Sequence, residues 1–332
     1  MVVFIVSEIG VNHNGSVSLA KELVQESVDA GADAVKFQSF MAEDLASPET
    51  PKVGYQYRDS SDSHVEMLAR LQLKEQDHFD IAEFASSLGI EFLSTPYSVP
   101  MLNLLTEIGV TRIKTASADI VDLPLHEAIA DTGLPVMIAT GMASDAEILE
   151  VSSVYEASTC DVTLMHAVSK YPTPLEEANL LRIAYLRDMF GLPVGYSDHT
   201  EGIEAAVAAI ALGADTVEKH LTLDPLAEGP DHFASAPPRT FREMVLKVRL
   251  IEEGLGEGTA LLQPEEIEMS RVSRKSLHAK HDINVNQTIA ETDLMLRRPG
   301  TGLTWANRHK VVGCRATKHI PVGQMLSLTD LA

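Results

Sequence analysis

The sequence is poor in the features that mark secreted and membrane proteins. Its 332 residues include only two cysteines, Cys160 and Cys314, so we expect reduced thiols and no disulfide framework. No stretch of 18 or more residues is purely apolar, and a membrane span is therefore not expected. The first residues, MVVFIVSEIG, carry no basic charge ahead of their apolar run, so they do not predict a signal peptide. We expect a cytoplasmic protein.

Basic residues are scarce as well. Lys and Arg together number 26 against 48 Asp and Glu, which gives a formal net charge of −22. Nucleic acid and anionic membrane are therefore not expected partners. An anionic substrate would need a local group of basic side chains, so lysines that recur at strand ends are more informative than lysines on surface helices.

Apolar runs of strand length alternate with amphipathic helical segments along most of the chain. Eight such units match the size of a (β/α)8 TIM barrel, an α/β fold of about 250 residues. A doubly wound open sheet is the alternative, but no G-x-G-x-x-G pattern follows the first strand. The predicted strands cover residues 4–7, 34–37, 91–94, 112–115, 136–140, 162–166, 194–196 and 216–218.

The pattern changes after a predicted helix at residues 240–254. We interpret residues 1–255 as the barrel, 256–275 as a linker and 276–332 as a small second domain. The last segment contains a faint repeat, because the pattern around Ile283 recurs 37 residues later around Ile320. Two similar halves of this length predict a small, loop-rich, pseudo-symmetric domain.

Polar residues close the predicted strands, and the active site of a TIM barrel forms at the carboxyl ends of its strands. These candidates are Glu8, Lys36, Gln38, Thr95, Lys114, Ser117, His166, Ser169, Ser197, His199, Glu218 and His220.

Two histidines, His199 and His220, end neighbouring predicted strands beside the acids Asp198 and Glu218. Neutral imidazoles can bind a divalent ion and leave coordination positions open for substrate and water. The alternative is that each histidine is an ordinary hydrogen-bonded residue of the core or surface.

Lysines and hydroxyl groups also recur at the strand ends. Lys36 and Lys114 each close an apolar run, and the hydroxyl residues near strand ends are Thr95, Ser117, Ser169 and Ser197. Ammonium groups with hydroxyl donors around them suit a phosphate, so this set predicts a phosphate-binding site. Solvated surface residues are the alternative.

The run EIGVNHNG at residues 8–15 follows the first predicted strand. Its polar groups and glycines suit a loop that hydrogen-bonds a polyhydroxy ligand. They suit equally a turn followed by a helix N-cap, for which Asn and Gly are ordinary residues. Spacing does not decide between the two.

Several of these motifs resemble the sialic acid synthase family over nearly the whole chain and in the same order. They are EIGVNHNG at 8–15, VKFQ at 35–38, LSTP at 93–96, TGM at 140–142, YPTP at 171–174, GYSDHT at 195–200, EKH at 218–220, GPDH at 229–232 and RPGTG at 298–302.

The resemblance implies a TIM barrel followed by a small antifreeze-like (SAF, β-clip) domain that swaps across a homodimer. It implies a transferase that condenses phosphoenolpyruvate with N-acetylmannosamine or 2,4-diacetamido-2,4,6-trideoxymannose to a sialic or legionaminic acid. The altrose isomer that leads to pseudaminic acid stays open.

His199 and His220 would bind Mn²⁺ or Mg²⁺. The implied catalytic residues are Glu8, Lys114 and Glu218. The implied substrate-binding residues are Lys36, Gln38, Thr95, Ser117, Ser169, Tyr171, Ser197, Asp231 and Arg298, the last from the other subunit.

One departure concerns the segment after the fourth strand, where the family commonly has Ser-Gly-Glu. Here it is Ser117-Ala118-Asp119, which shortens the acid and leaves the role of Asp119 open.

Three other functions stay open. The first is a Schiff-base aldolase with Lys36, Lys114 or Lys219 as its nucleophile. The second is a sugar-binding protein without catalysis. The third is a synthase for a phosphorylated aldose, although the strand ends offer no second cluster of basic residues for a second phosphate.

Overall fold

The computed structural model describes residues 2–52, 63–256, 258–259 and 261–332, and the chain separates into two compact units. The first unit is Met1–Gly256 and the second is Glu257–Ala332. The first holds every predicted site residue except Arg298.

Eight parallel strands form the centre of the first unit. They are β1 Phe4–Gly10, β2 Ala34–Ser39, β3 Glu91–Pro96, β4 Ile113–Thr115, β5 Val136–Ala139, β6 Val162–Ala167, β7 Val194–Asp198 and β8 Thr216–His220. The hydrogen-bonded order is β3-β2-β1-β8-β7-β6-β5-β4, and β3 also contacts β4, so the sheet is a nearly closed barrel. The predicted α/β barrel is confirmed.

Helices follow the strands and cover the outside of the barrel. They are α1 Val17–Ala30, α2 Ala42–Leu45, α3 His64–Leu71, α4 Glu75–Ser87, α5 Val99–Ile108, α6 Leu123–Thr132, α7 Asp145–Tyr155, α8 Arg182–Phe190, α9 Glu204–Ala211 and α10 Pro238–Leu255. Helix α1 shows the local logic: the Ser16 hydroxyl accepts a hydrogen bond from Leu19 N, and Gly31 ends the helix with a left-handed φ of 87°. Among the described residues, no helix combines the length and apolarity needed to cross a membrane.

Side chains alternate between the two faces of each strand, and this alternation places the polar side chains of the site. Interior residues from five strands pack together inside the barrel: Val6, Ala34, Leu93, Met137 and Met165. Polar residues follow two positions later on the same faces, such as Glu8 after Val6 and Lys36 after Ala34. The apolar layer therefore fills the barrel interior directly below the polar residues at the carboxyl ends of the strands.

The second unit contains a short helix and a two-stranded antiparallel sheet: α11 Pro264–Ser273, β9 Ser276–Ala279 and β10 Leu294–Arg297. Helix α11 lies within the stretch that the sequence predicts as a linker, so that stretch is not an irregular connection throughout. Its first turn has Pro264 and a capping box between Gln263 and Glu266. A separate small core contains Leu277, Ile283, Ile289, Ile320 and Leu326, among others.

Candidate active site

A cavity of 590 Å³ opens at the carboxyl ends of the barrel strands. It brings together most of the residues that the sequence predicts for the site: Glu8, Lys36, Gln38, Thr95, Lys114, Ser117, Ser169, Tyr171, Ser197, His199, Glu218 and His220. Most lie on strands or directly after them, as expected for a TIM-barrel site.

Two lysines and two glutamates form an alternating chain of charges on the cavity floor. Lys36 Nζ lies 2.7 Å from Glu8 Oε2 and 3.9 Å from Glu218 Oε1, and Lys114 Nζ lies 3.7 Å from the same Glu218 atom. All four side chains are nearly fully buried. Lys36 also donates to Thr95 Oγ1 at 3.2 Å. In a chain with net charge −22, Lys36 and Lys114 are the strand-end cations that an anionic substrate would need, and each lies beside a glutamate.

The two carboxylates on this floor have different proton affinities. Burial raises the pKa of Glu8 to about 7, although the nearby Lys36 ammonium acts in the opposite direction. Burial also opposes ionisation of Glu218, but the ammonium groups of Lys114 and Lys36 lower its pKa to about 2. Glu8 can therefore exchange a proton near neutral pH while Glu218 stays ionised, a division that suits acid–base chemistry.

A glycine allows two hydroxyl groups to converge on one wall. Ser117 Oγ accepts a hydrogen bond from Gly141 N at 3.1 Å. A Cβ atom at Gly141 would lie 2.5 Å from Ser169 Oγ and 2.7 Å from Ser117 Oγ, closer than real contacts permit. The absence of a side chain at Gly141 therefore lets the two hydroxyl groups lie together as a small cradle of donors on the cavity wall, as the sequence predicts for a phosphate site.

His199 and His220 face each other with ring centroids 5.7 Å apart. His199 Nδ1 donates to the Val168 carbonyl at 2.7 Å, so its Nε2 holds the lone pair. His220 Nδ1 is buried and has no hydrogen-bond partner among the residues that the structure describes. Burial lowers the pKa of both imidazoles, which favours their neutral, ligating form.

The histidine pair fits a divalent ion that is shared with substrate or water. Two neutral imidazoles in one cavity, one of them with an unpartnered buried Nδ1, supply suitable nitrogen ligands. Within the described ranges, no group of three or more His, Cys, Asp or Glu side chains could hold an ion alone. An ion at this place would therefore keep open coordination positions, which catalytic sites require.

The possible nucleophile Lys219 and the strand-end candidate His166 point away from the cavity. Lys219 lies behind the wall, where its Nζ makes an ion pair of 2.8 Å with Asp198 Oδ2. His166 is buried against Tyr196, and its Nε2 contacts the Ala178 carbonyl at 2.9 Å. Both occupy the strand face opposite to the cavity, so Lys219 is not placed to act as a Schiff-base nucleophile. Lys36 and Lys114 do line the cavity.

The asparagine side chains of residues 8–15 form hydrogen bonds to the loop after β8. Asn12 Nδ2 donates to the Leu221 carbonyl at 2.8 Å and to Ser235 Oγ at 2.9 Å. Asn14 Nδ2 donates to the Glu228 carbonyl at 2.8 Å. These contacts join the loop after β1 to the loop after β8, so the asparagines have a structural role and Glu8 remains the cavity-lining member of the run.

Within the first unit, Asp231 and Asp119 do not line the cavity. Asp231 is buried, and burial raises its pKa to about 6, against the influence of Lys36. Asp119 is half-buried, and burial together with Asp122 raises its pKa to about 7. Arg298 is exposed in the second unit, directly after β10.

Some cavity residues escaped the sequence analysis because they lie on loops. Tyr97 follows β3, and Lys170 stands between two predicted residues, with its Nζ held by Glu177 at 2.7 Å. Met142 follows the Gly141 cradle with a positive φ of 64°, which is unusual for a residue other than glycine. Their position beside predicted residues was the signal that could have identified them.

Known proteins resemble both parts of the chain. The sequence matches the NeuB family over residues 23–260 and the SAF domain over residues 274–332. The N,N'-diacetyllegionaminic acid synthase of Legionella pneumophila is 39% identical, over 98% of this chain and 94% of that protein. The enzyme of the same name from Campylobacter jejuni is 37% identical, over 97% and 98% of the two chains.

A solved structure agrees with these relatives. The N-acetylneuraminic acid (sialic acid) synthetase of Leptospira borgpetersenii serovar Hardjo-bovis, in complex with citrate, superposes with a TM-score of 0.74 and 36% identity. The match covers 81% of this chain and 90% of that chain.

Proposed function

Since the chain belongs to the NeuB family, we propose that it condenses phosphoenolpyruvate with an N-acylated amino-sugar aldehyde. The products are a nonulosonic acid and inorganic phosphate. The two legionaminic acid synthases at 39% and 37% identity favour 2,4-diacetamido-2,4,6-trideoxymannose as the first sugar to test. N-acetylmannosamine is the second, because the Leptospira sialic acid synthetase is 36% identical.

One observation carries the proposal: two lysines, two carboxylates and two neutral imidazoles line a single cavity. Phosphoenolpyruvate has a phosphate and a carboxylate, and Lys36 and Lys114 are the buried cations available to offset them. The hydroxyl groups beside Gly141 would complete the phosphate site.

The reaction joins C3 of phosphoenolpyruvate to the aldehyde carbon, and the aldehyde oxygen becomes a hydroxyl group. Water adds at C2, and the bond between C2 and the bridging oxygen breaks to release phosphate and leave the 2-keto acid. Mn²⁺ or Mg²⁺ held by His199 and His220 would supply Lewis-acid polarisation of the aldehyde. Glu8 can give a proton to the aldehyde oxygen as it becomes a hydroxyl group, because burial raises the pKa of Glu8 to about 7.

The ionised Glu218 has a different task. Positive charge develops at C2 as the carbon–carbon bond forms, and a buried carboxylate nearby stabilises it electrostatically. Ser197 Oγ donates to Glu218 Oε1 at 2.9 Å and fixes the direction of that carboxylate. Lys114 keeps Glu218 ionised and contacts the same oxygen at 3.7 Å.

The test measures phosphate release from phosphoenolpyruvate with each sugar, before and after chelation and after Mn²⁺ is restored. We expect release that needs both a sugar and the metal, with the diacetamido sugar turned over fastest. Turnover of the altrose isomer alone would move the enzyme to the pseudaminic branch. The variant His220→Ala should lose metal-dependent turnover, and wild-type activity in it would remove His220 from the site.

The same assay separates the other functions. A Schiff-base aldolase would work without metal, and borohydride with pyruvate would trap its lysine. A sugar-binding protein would bind the sugars, for example by calorimetry, and release no phosphate with any of them. A phosphorylated aldose that outperformed the free sugars would favour the third alternative.

A further inference from the structure

A buried ion pair lies directly behind the two proposed metal ligands. Asp198 precedes His199 in the chain and Lys219 precedes His220, and the strand register places Asp198 opposite Lys219. Side chains alternate between the two faces of a strand, so both charged residues point outward while the histidines line the cavity.

Asp198 and Lys219 both bond to Thr200, the residue directly after His199. Their ion pair measures 2.8 Å, with side-chain exposures of 0% and 2%. Asp198 Oδ1 accepts from Thr200 N at 2.9 Å and from Thr200 Oγ1 at 2.8 Å, and Lys219 Nζ donates to the Thr200 carbonyl at 2.8 Å. Every backbone polar group of Thr200 is therefore held by this pair.

The same segment is fixed from its other side. Thr173 N donates to the His199 carbonyl at 2.8 Å, and Thr173 forms a parallel bridge with Thr200. The His199 carbonyl and the backbone of Thr200 consequently have defined partners. On β8, the Lys219 side chain anchors the strand one residue before His220.

Stability alone is a poor reason for a pair at this position. Removing two charges from water is costly, and well-packed neutral residues often replace a buried ion pair with little or no loss of stability. Groups behind a metal site, in contrast, commonly fix the direction of its ligands.

We propose that the Asp198–Lys219 pair positions His199 and His220 at the separation that a divalent ion requires. This inference rests on the metal-binding part of the proposed function. It assigns the two residues as positioning residues, since neither lines the cavity or can touch the substrate there.

The double variant D198N/K219M tests the proposal, because it removes both charges and preserves the approximate side-chain volumes. Mn²⁺ affinity is measured by calorimetry on the chelator-stripped full chain, and the melting temperature is measured on the same metal-free sample. We expect a folded protein whose Mn²⁺ dissociation constant is about 10-fold or more weaker than that of the wild type. A folded variant with unchanged affinity would overturn the proposal.

A second variant tests the proposal if the double variant does not fold. Thr200→Val removes one hydroxyl donor to Asp198 and keeps the charges, so we expect a smaller but measurable loss of Mn²⁺ affinity; unchanged affinity would overturn the proposal. The control is Ser39→Ala, which removes a buried hydroxyl contact of 2.7 Å with Ser94 on the other side of the barrel. It should lower stability without changing Mn²⁺ affinity, and an equal loss of affinity there would show a merely structural effect.

Wild-type binding separates this proposal from the proposed function. Failure of the wild type to bind Mn²⁺ would end both the metal role and the positioning role. Binding of Mn²⁺ without phosphate release would instead reject the proposed substrates. The Mn²⁺ affinities of the variants would still decide whether the Asp198–Lys219 pair positions the histidines.

Discussion

Tyr171 and His199 are joined by a hydrogen bond of 3.1 Å between the phenol oxygen and Nε2. The direction of this bond follows from the other side of the imidazole. The Val168 carbonyl can only accept, so Nδ1 carries the hydrogen and Nε2 must accept from Tyr171. The Tyr171 hydroxyl therefore occupies the lone pair that the proposed metal would use, and metal binding has to displace it.

Tyr171→Phe should consequently bind Mn²⁺ more tightly in the absence of substrates. Loss of one neutral hydrogen bond predicts a gain of about 2- to 10-fold in affinity. Calorimetric titration of the chelator-stripped protein measures it. Tyr185→Phe is the matched control, because Tyr185 bonds to Asp145 on the surface and should leave the affinity unchanged. Weaker binding by Tyr171→Phe would show that the hydroxyl supports the metal instead.

Gly141→Ala should damage the use of phosphoenolpyruvate. The added methyl group would collide with Ser117 Oγ and Ser169 Oγ and push apart the hydroxyl groups of the cradle. We expect kcat/KM for phosphoenolpyruvate to fall by about 10- to 100-fold. Gly254→Ala is the control, because a Cβ there meets nothing within 4 Å. An unchanged kcat/KM in Gly141→Ala would remove the cradle from the phosphate site.

The proton role of Glu8 predicts a specific pH profile. Burial raises its pKa to about 7, and a general acid acts in its protonated form, so kcat/KM should fall as pH rises through about 7. Glu8→Gln should lower kcat by about 100-fold or more and remove this limb of the profile. Glu147→Gln is the control, because hydrogen bonds from Ser144 lower the pKa of this surface carboxyl, and the limb should survive in that variant. A limb that survives in Glu8→Gln belongs to another group.

The barrel could be predicted because its strands are buried on both faces and therefore form apolar runs of strand length. The predictions were weakest where polar residues continue a strand. The sequence predicts that the seventh strand stops at residue 196, whereas β7 extends to Asp198. Ser197 and Asp198 can stay in the strand because Glu218 and Lys219 satisfy their polar atoms. The sequence of a single strand does not indicate which residues of the neighbouring strand lie opposite it.

The direction of a side chain was harder to predict than its position along the chain. Lys219 was a candidate nucleophile because it lies at a strand end, but it is adjacent to two cavity residues, Glu218 and His220. The period of two then requires Lys219 to face away. Cavity residues on loops, such as Tyr97 and Lys170, have no period at all, which is why the sequence analysis missed them.

The repeat in the second unit corresponds to a physical pseudo-symmetry. Ile283 and Ile320, which are 37 residues apart, donate backbone hydrogen bonds to each other at 2.9 Å in both directions. The side-chain contacts repeat as well: His281 Nε2 lies 2.7 Å from Asp293 Oδ1, and Lys318 Nζ lies 2.8 Å from Asp330 Oδ1. The predicted pseudo-symmetric, loop-rich unit is therefore present in the backbone and in the side-chain contacts.

A domain swap across a homodimer, which the resemblance to the sialic acid synthase family implies, predicts complementation between two defective subunits. Arg298→Ala alone should weaken use of the sugar more than use of phosphoenolpyruvate, since the arginine is expected to touch the N-acyl group. In a co-expressed hybrid of His220→Ala and Arg298→Ala chains, the barrel that keeps His220 would receive an intact Arg298 of the partner subunit. Purified hybrid dimers should then regain up to about half of the wild-type activity, because one site in two is complete. If Arg298 acts within its own chain, both sites of the hybrid stay defective and mixing restores nothing. The two homodimeric variants, measured alone at the same concentration, set the baseline for that comparison.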